Sequence, residues 1–258
     1  MVLQLLTTLA LSQSPTWQWQ SLADGIEYAA VSAVSGSDKG TIHVVRVDGR
    51  KAELALGLAS EKGANRTAKQ WADENDFTVT INAGMYDTDL KTNVGYLRNG
   101  KHLNQPRWNG TYESVLLLGA EPRIVDRDAK TESLSSKASA AVQNLRLIKA
   151  PGTSVWKKNG RAWSEALLAD DSQGRLLLVF TQLRFEMSDL TALLLKWPLG
   201  IVHAMHLDGG PPASFSVHSK ALTIDLAGDN ENSVFRRGPN AAQLEIPNVI
   251  GVKPRVKK

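Results

Sequence analysis

Two apolar runs, Glu165-Ala-Leu-Leu-Ala169 and Arg175-Leu-Leu-Leu-Val-Phe180, are separated only by Asp170-Asp-Ser-Gln-Gly174. So short a link, built from residues that favour tight turns, leaves no room for a helical crossover and predicts two antiparallel neighbours. The Asp-rich link lacks the oxygen-ligand spacing and terminal Glu of a calcium loop, so it reads as a turn. The same grammar recurs at Thr41 to Val47 and Ala52 to Ala59, which flank Asp48-Gly49-Arg50-Lys51 and predict a second hairpin. An Asn-Gly turn, Arg98-Asn99-Gly100-Lys101, predicts a third. Further strands are expected at Phe77 to Ile81, Val115 to Leu118 and Leu145 to Ile148. In the first of these, Val79 and Ile81 alternate with Thr78, Thr80 and Asn82, giving one apolar and one polar face.

Helix signals are fewer. Thr67-Ala-Lys-Gln70 has the form of a capping box opening a helix to about Asn75. Ser188 is the expected N-cap for Asp189 to Trp197, where Leu190, Leu193, Leu194 and Trp197 recur at helical spacing before Pro198 and Gly200. Strands joined by tight turns, without regular βαβ alternation or an internal repeat, predict a single α+β domain with a mostly antiparallel β-sheet flanked by a few helices.

Composition removes whole classes of function. The chain has 258 residues, 42% hydrophobic and 22% charged, which excludes disordered, collagen-like and coiled-coil architectures. With no cysteine there is no disulfide framework, zinc-thiolate site, iron–sulfur cluster or cysteine nucleophile. The net charge of +4 owes much to a basic tail over 253–258, too small and too terminal for a nucleic-acid surface. Neither a glycine-rich nucleotide loop, nor G-x-S-x-G, nor H-E-x-x-H is present.

The N-terminal stretch Met1 to Ser12 is uncharged and apolar, and Ala10-x-Ser12 fits the small-residue pattern of a signal-peptidase site. It predicts a signal peptide over 1–12, cut near Ser12 or Ser14, and a periplasmic or secreted protein. The run is too short to cross a bilayer, for which about 20 residues are needed, so no transmembrane segment is expected in the mature chain.

Two segments carry candidate chemistry. Ile201-Val-His-Ala-Met-His-Leu-Asp-Gly-Gly-Pro-Pro-Ala-Ser214 is a strand running into an acid and two glycines. If the strand persists to Asp208, His206 and Asp208 point to one side, and Gly209 and Gly210 let a ligand approach closely. The same residues also fit a plain turn with a histidine satisfied by backbone. The second segment, Ile81-Asn82-Ala83-Gly84-Met85-Tyr86-Asp87, places an amide, a flexible glycine and a phenol directly after a strand.

Taken in order, Asn82-Ala-Gly-Met-Tyr86, Val94-Gly-Tyr-Leu97, Leu103-Asn104, Val142-Gln-Asn-Leu145 and His206-Leu-Asp-Gly-Gly-Pro211 resemble the phosphodiester glycosidase family over residues 41–252. The resemblance implies an exported α+β domain that hydrolyses the glycosidic bond of a sugar-1-phosphodiester, as in cell-envelope glycans. It nominates Asn82, Gly84, Gln143, Asp208, Gly209 and Gly210 as site residues. The chain departs from the family pattern where Gln-Ser-Gly-Pro is replaced by Gln143-Asn-Leu-Arg146, and where Arg-Thr-Ala is replaced by Trp163-Ser-Glu165-Ala, marking a divergent bacterial branch. Arg146 and Arg107 are candidate phosphate partners in place of the lost arginine.

Glycoside hydrolysis generally calls on two carboxyl groups. Asp208 is the first candidate; its partner is Glu165, which begins a strand, in preference to Asp87 near the other motif, with His206 as general acid or as the group that holds Asp208. Tyr86 and Trp163 are candidate ring-stacking residues. No cofactor is demanded by any motif. Asp208 and Asn82 are hard oxygen ligands suited to Ca²⁺ or Mg²⁺, although two ligands do not define a site. The alternative function is a non-catalytic envelope protein that binds glycans or sugar phosphates through the same cleft.

Overall fold

The computed structural model describes residues 15–128, 130–229 and 242–255. The predicted signal segment and the end of the basic tail lie outside the described residues. The chain first forms β1 (Gln20–Ala23), β2 (Ile26–Ser35), β3 (Asp38–Val47), β4 (Ala52–Leu58), α1 (Ala59–Lys62), α2 (Ala68–Asn75) and β5 (Val79–Asn82). Next come β6 (Leu97–Asn99), β7 (His102–Gln105), β8 (Ser114–Leu118), β9 (Arg123–Asp126), α3 (Thr131–Lys137), β10 (Ala140–Lys149) and β11 (Thr153–Ser154). The remainder comprises β12 (Trp163–Asp171), β13 (Leu176–Phe185), α4 (Met187–Lys196), β14 (Ile201–Gly209), β15 (Ser214–His218), β16 (Thr223–Ala227) and β17 (Asn248–Pro254).

A 12-stranded sheet has the main order β1-β2-β3-β13-β12-β14-β10-β6-β7, with β8, β9 and β11 attached off that path. A 5-stranded sheet has the order β16-β15-β5-β17-β4. All pairings among these strands are antiparallel. The fold is thus the mostly antiparallel α+β arrangement expected.

The apolar runs alternate between two cores. Leu176, Leu178 and Phe180 of β13, with Ala166 and Leu168 of β12, turn inward against the smaller sheet. Leu177 and Val179, with Leu167 and Ala169, turn outward beneath Met187, Leu190 and Leu194 of α4. Central strands covered on both faces need apolar residues at every position, which is why these segments read as unbroken hydrophobic runs. Each large side chain so buried contributes roughly 1.5–3 kcal/mol. On the outside of the smaller sheet, Trp71 of α2 and Phe77 close a third cluster with Val249.

The capping box is present in full: Gln70 N–H donates to Thr67 Oγ1, and Thr67 N–H donates to Gln70 Oε1. The β12–β13 hairpin also forms, its turn closed by Asp171 Oδ1, which accepts from Gln173 N and Arg175 N. The expected pairing of Thr41–Val47 with Ala52–Ala59 does not form. β3 pairs with β2 and β13, whereas β4 pairs with β17 in the other sheet. Val45 and Val47 of β3 and Leu54, Leu56 and Leu58 of β4 all bury into the same core, so the two strands face each other across it rather than lie edge to edge. The Asp48–Lys51 turn is real but carries the chain between sheets.

Both the apolar and the polar face of β5 are buried, because β5 is a central strand with α2 packed over it; Thr80 and Asn82 are 0% and 2% exposed. One further expectation is corrected. Ser188 does not cap α4: the helix begins two residues earlier with Glu186 at the N-cap position, and Ser188 Oγ is buried without a partner among the described residues.

His43 of β3 is half-buried at the side of the core, with Nδ1 2.8 Å from the Tyr28 hydroxyl and its ring beside Phe180 and Phe215. Burial lowers the imidazole from 6.5 to about 4. The unfolded chain therefore takes up this proton more readily, so the contribution to stability is complete above about pH 6.5 and is lost as the pH falls towards 4. Urea unfolding at pH 7 and pH 4 should show the wild type losing up to about 3 kcal/mol more than a His43→Phe variant.

Candidate active site

β14 carries the Ile201–Ser214 segment as a continuous strand as far as Gly209, in the order that the alternation requires. Met205 and Leu207 enter the core between the sheets, while His206 and Asp208 line an open cleft of about 290 Å³. A bulge sharpens this placement: Leu167 of β12 pairs with His206 and Ala166 with Asp208, leaving Leu207 as the extra residue. Bulges of this kind re-aim side chains next to functional sites.

The neighbouring strand supplies the partner. His206 Nδ1–H donates to Glu165 Oε1 at 2.6 Å, and Trp163 Nε1–H donates to Glu165 Oε2 at 2.9 Å. Both Glu165 oxygens are thereby committed, the residue is 1% exposed, and Nε2 is left as the imidazole nitrogen available to a ligand. Burial raises the Glu165 carboxyl, against the opposing pull of His206 and Trp163. Burial alone would lower His206, but the Glu165 charge and hydrogen bond, with Asp208 beyond, hold it above its ordinary value.

Asp208 is the carboxylate that faces the cleft. Burial pushes it up to about 6, opposed by the His206 charge and by the Gly209 N–H, which donates to Oδ1 at 2.8 Å. Gly209 permits the close approach of the indole: a Cβ there would stand 2.0 Å from Trp163 Cδ1. Gly210 takes φ +66° and donates its N–H to Ser164 O at 3.0 Å, so the turn is tied to β12.

The Ile81–Asp87 segment contributes less directly. Met85 lines the cleft, and the Tyr86 phenol is raised by burial and by the Asp208 charge. Asn82 is a strut: its Oδ1 accepts from Ser214 N at 3.1 Å, joining β5 to β15. As a candidate metal ligand with Asp208 it therefore offers an oxygen already engaged. Among the described residues no group of three or more His, Asp or Glu is arranged to hold a metal ion. Gly84 is buried against Asn144 Oδ1, 2.5 Å from where a Cβ would lie.

Gln143 is wholly buried, its Oε1 accepting from Tyr96 N and Asn109 N and its Nε2 donating to Asn109 O and Tyr112 O, which leaves it nothing for a ligand. Arg146 opens into a neighbouring cavity, ion-paired to Glu113 and to Asp126 at 3.3 Å. Arg161 and Trp156 carry no signal in the sequence: the return of the loop before β12 brings Arg161 to the cleft and sets Trp156 beside His206.

The sequence profile of the family described as phosphodiester glycosidase matches residues 75–253. The chain belongs to the phosphodiester glycosidase family. No curated protein sequence matches it. Among solved structures, the zebrafish N-acetylglucosamine-1-phosphodiester α-N-acetylglucosaminidase catalytic domain, auto-inhibited by its pro-peptide, superposes with a TM-score of 0.66 at 14% identity, over 93% of this chain and 88% of that one. A hypothetical protein from Synechocystis superposes with a TM-score of 0.69 at 13% identity, over 94% of this chain and 64% of that one. At such identity both likenesses are of fold. In this member of the family, His206, Asp208, Gly209 and Gly210 line one cleft with Glu165 buried behind His206, and membership of the family points to hydrolysis of a glycosyl bond.

The Glu165–His206 bond makes a direct prediction. In Glu165→Gln the imidazole loses the charge that holds it up while keeping its burial, so its NMR titration midpoint should fall below the ordinary histidine value.

Proposed function

We propose that this protein is an exported hydrolase that cleaves the glycosidic bond of a sugar-1-phosphodiester of the kind found in cell-envelope glycans. The observation that carries the reading is one ionisable carboxyl group in the cleft, Asp208, beside an imidazole fixed by a second, sequestered carboxyl group, Glu165. The family profile and the activity for which the zebrafish relative is named support this substrate class.

A phosphodiester leaves as a stable anion, so protonating it matters less than stabilising its charge. Asp208 in its ionised form takes a proton from water; the water oxygen bonds to the anomeric carbon as the bond to the phosphate oxygen breaks. His206, kept cationic by Glu165, donates from Nε2 to the departing phosphate. Trp163 offers a ring face to the sugar. Export rests on the uncharged apolar segment ending Ala10-x-Ser12.

Turnover of a panel of sugar-1-phosphodiesters and aryl glycosides tests the chemistry, with Asp208→Asn as control and EDTA as a second arm. Free sugar should be released by the wild type, and the variant should lose roughly 10²–10⁴-fold, the usual weight of a positioned base. Because Asp208 acts ionised, kcat/KM should climb as the pH rises through about 6. Sugar-phosphate binding without turnover across the panel would instead establish the non-catalytic binding protein. N-terminal sequencing of the native product should begin just after Ser12 or Ser14; finding Met1 or Val2 would refute export.

A further inference from the structure

Beside the cleft lies a second cavity of about 420 Å³, and Trp156 is the wall between the two. Its ring is 6.2 Å from that of His206 and 6.3 Å from that of Trp163, both of which face the cleft, while it also lines the cavity. The two spaces are adjacent in the sheet as well: Leu145 and Arg146 of β10, which line the cavity, pair with His206 and Met205 of β14. The cavity therefore begins one strand away from the imidazole that faces the leaving group.

The size of the cleft calls for such an extension. At about 290 Å³ it stands at the low end of small-ligand pockets, roughly 300–1,000 Å³, and a sugar together with the group beyond its phosphate needs more room. The charge of the cavity is suited to an anion. Arg146, Lys157 and Lys158 line it against the single acid Glu113. Arg146 is held by Glu113 and Asp126 and serves as wall. The charge left for a ligand belongs chiefly to Lys157, which has no ion pair among the described residues, supported by Lys158, which is 73% exposed and paired at long range with Glu186 and Asp189 at 3.9 and 4.0 Å. A leaving group carrying further negative charge would be repelled by the Asp208 carboxylate and drawn past Trp156 towards these lysines.

We propose that the cavity beyond Trp156 is a leaving-group subsite that selects sugar-1-phosphodiesters whose alcohol continues into a second, spaced phosphate, as in a phosphodiester-linked oligomer. This rests on the function proposed above. A phosphate bonded directly to the first, as in a sugar nucleotide, stays on the His206 side of the indole, so spacing separates the two substrates.

The test compares kcat/KM for one sugar carrying a methyl phosphate, a glycerol-phosphate dimer or a nucleoside diphosphate as leaving group. Wild type should prefer the dimer over the methyl phosphate, and the preference should fall about tenfold in Lys157→Glu/Lys158→Glu, mostly through KM, and also with rising salt. Calorimetry supplies a readout that needs no turnover: a sugar-free glycerol-phosphate tetramer should bind Asp208→Asn more tightly than glycerol phosphate does, and bind Asp208→Asn/Lys157→Glu/Lys158→Glu about tenfold more weakly. If nothing is turned over but the tetramer binds in this lysine-dependent way, the hydrolase reading falls and the subsite stands. Equal binding by both variants, no gain over glycerol phosphate, or a preference for the nucleoside diphosphate that survives the lysine changes would overturn the subsite.

Discussion

Everything at the site depends on one hydrogen bond between adjacent strands in the middle of a sheet, His206 Nδ1 to Glu165 Oε1. Neither group is tolerable alone in so dry a position. A buried carboxylate or imidazolium is costly unless it is paired and further hydrogen-bonded, and here the Trp163 indole completes the carboxylate. The two sheets and α4 provide the burial, and the β12–β14 register provides the pairing. The arrangement fixes both the rotation of the imidazole and the nitrogen it offers to the cleft.

Asp208 gains its character from the same constraint. It lies two residues beyond His206 on the same strand, across a bulge, so its distance from the imidazole is set by backbone and not by a mobile loop. Of the two carboxyl groups beside His206, Glu165 and Asp208, the one saturated with donors is structural support for the imidazole. The other has one backbone donor and an open face. Environment, more than residue type, divides their roles.

The sequence made local features readable and left non-local ones hidden. The β12–β13 hairpin, the Thr67 capping box and the strand through Asp208 each depend on residues close along the chain, and each forms as the pattern requires. The mispaired β3 and β4 show the limit: their turn is correctly read, but whether a turn joins two strands of one sheet or passes between sheets depends on partners supplied from far away, here β2, β13 and β17. Gln143 illustrates the same limit at the site. A motif identifies a residue that matters, but only the surrounding backbone shows that its amide is spent on Tyr96, Asn109 and Tyr112. Trp156 carried no local signal, since nothing near it in sequence announces the histidine it meets.

β17, built from almost the last described residues, is not an edge strand. It lies between β4 and β5 and bonds to both along their length. During synthesis β4 and β5 emerge long before β17, so the smaller sheet cannot close until the chain through Pro254 has been made. Until then Leu54, Leu56, Val79 and Ile81 have no finished core to enter. A growing chain of this kind keeps that half of its core open until a strand distant in sequence arrives, which makes closure of the smaller sheet a late event.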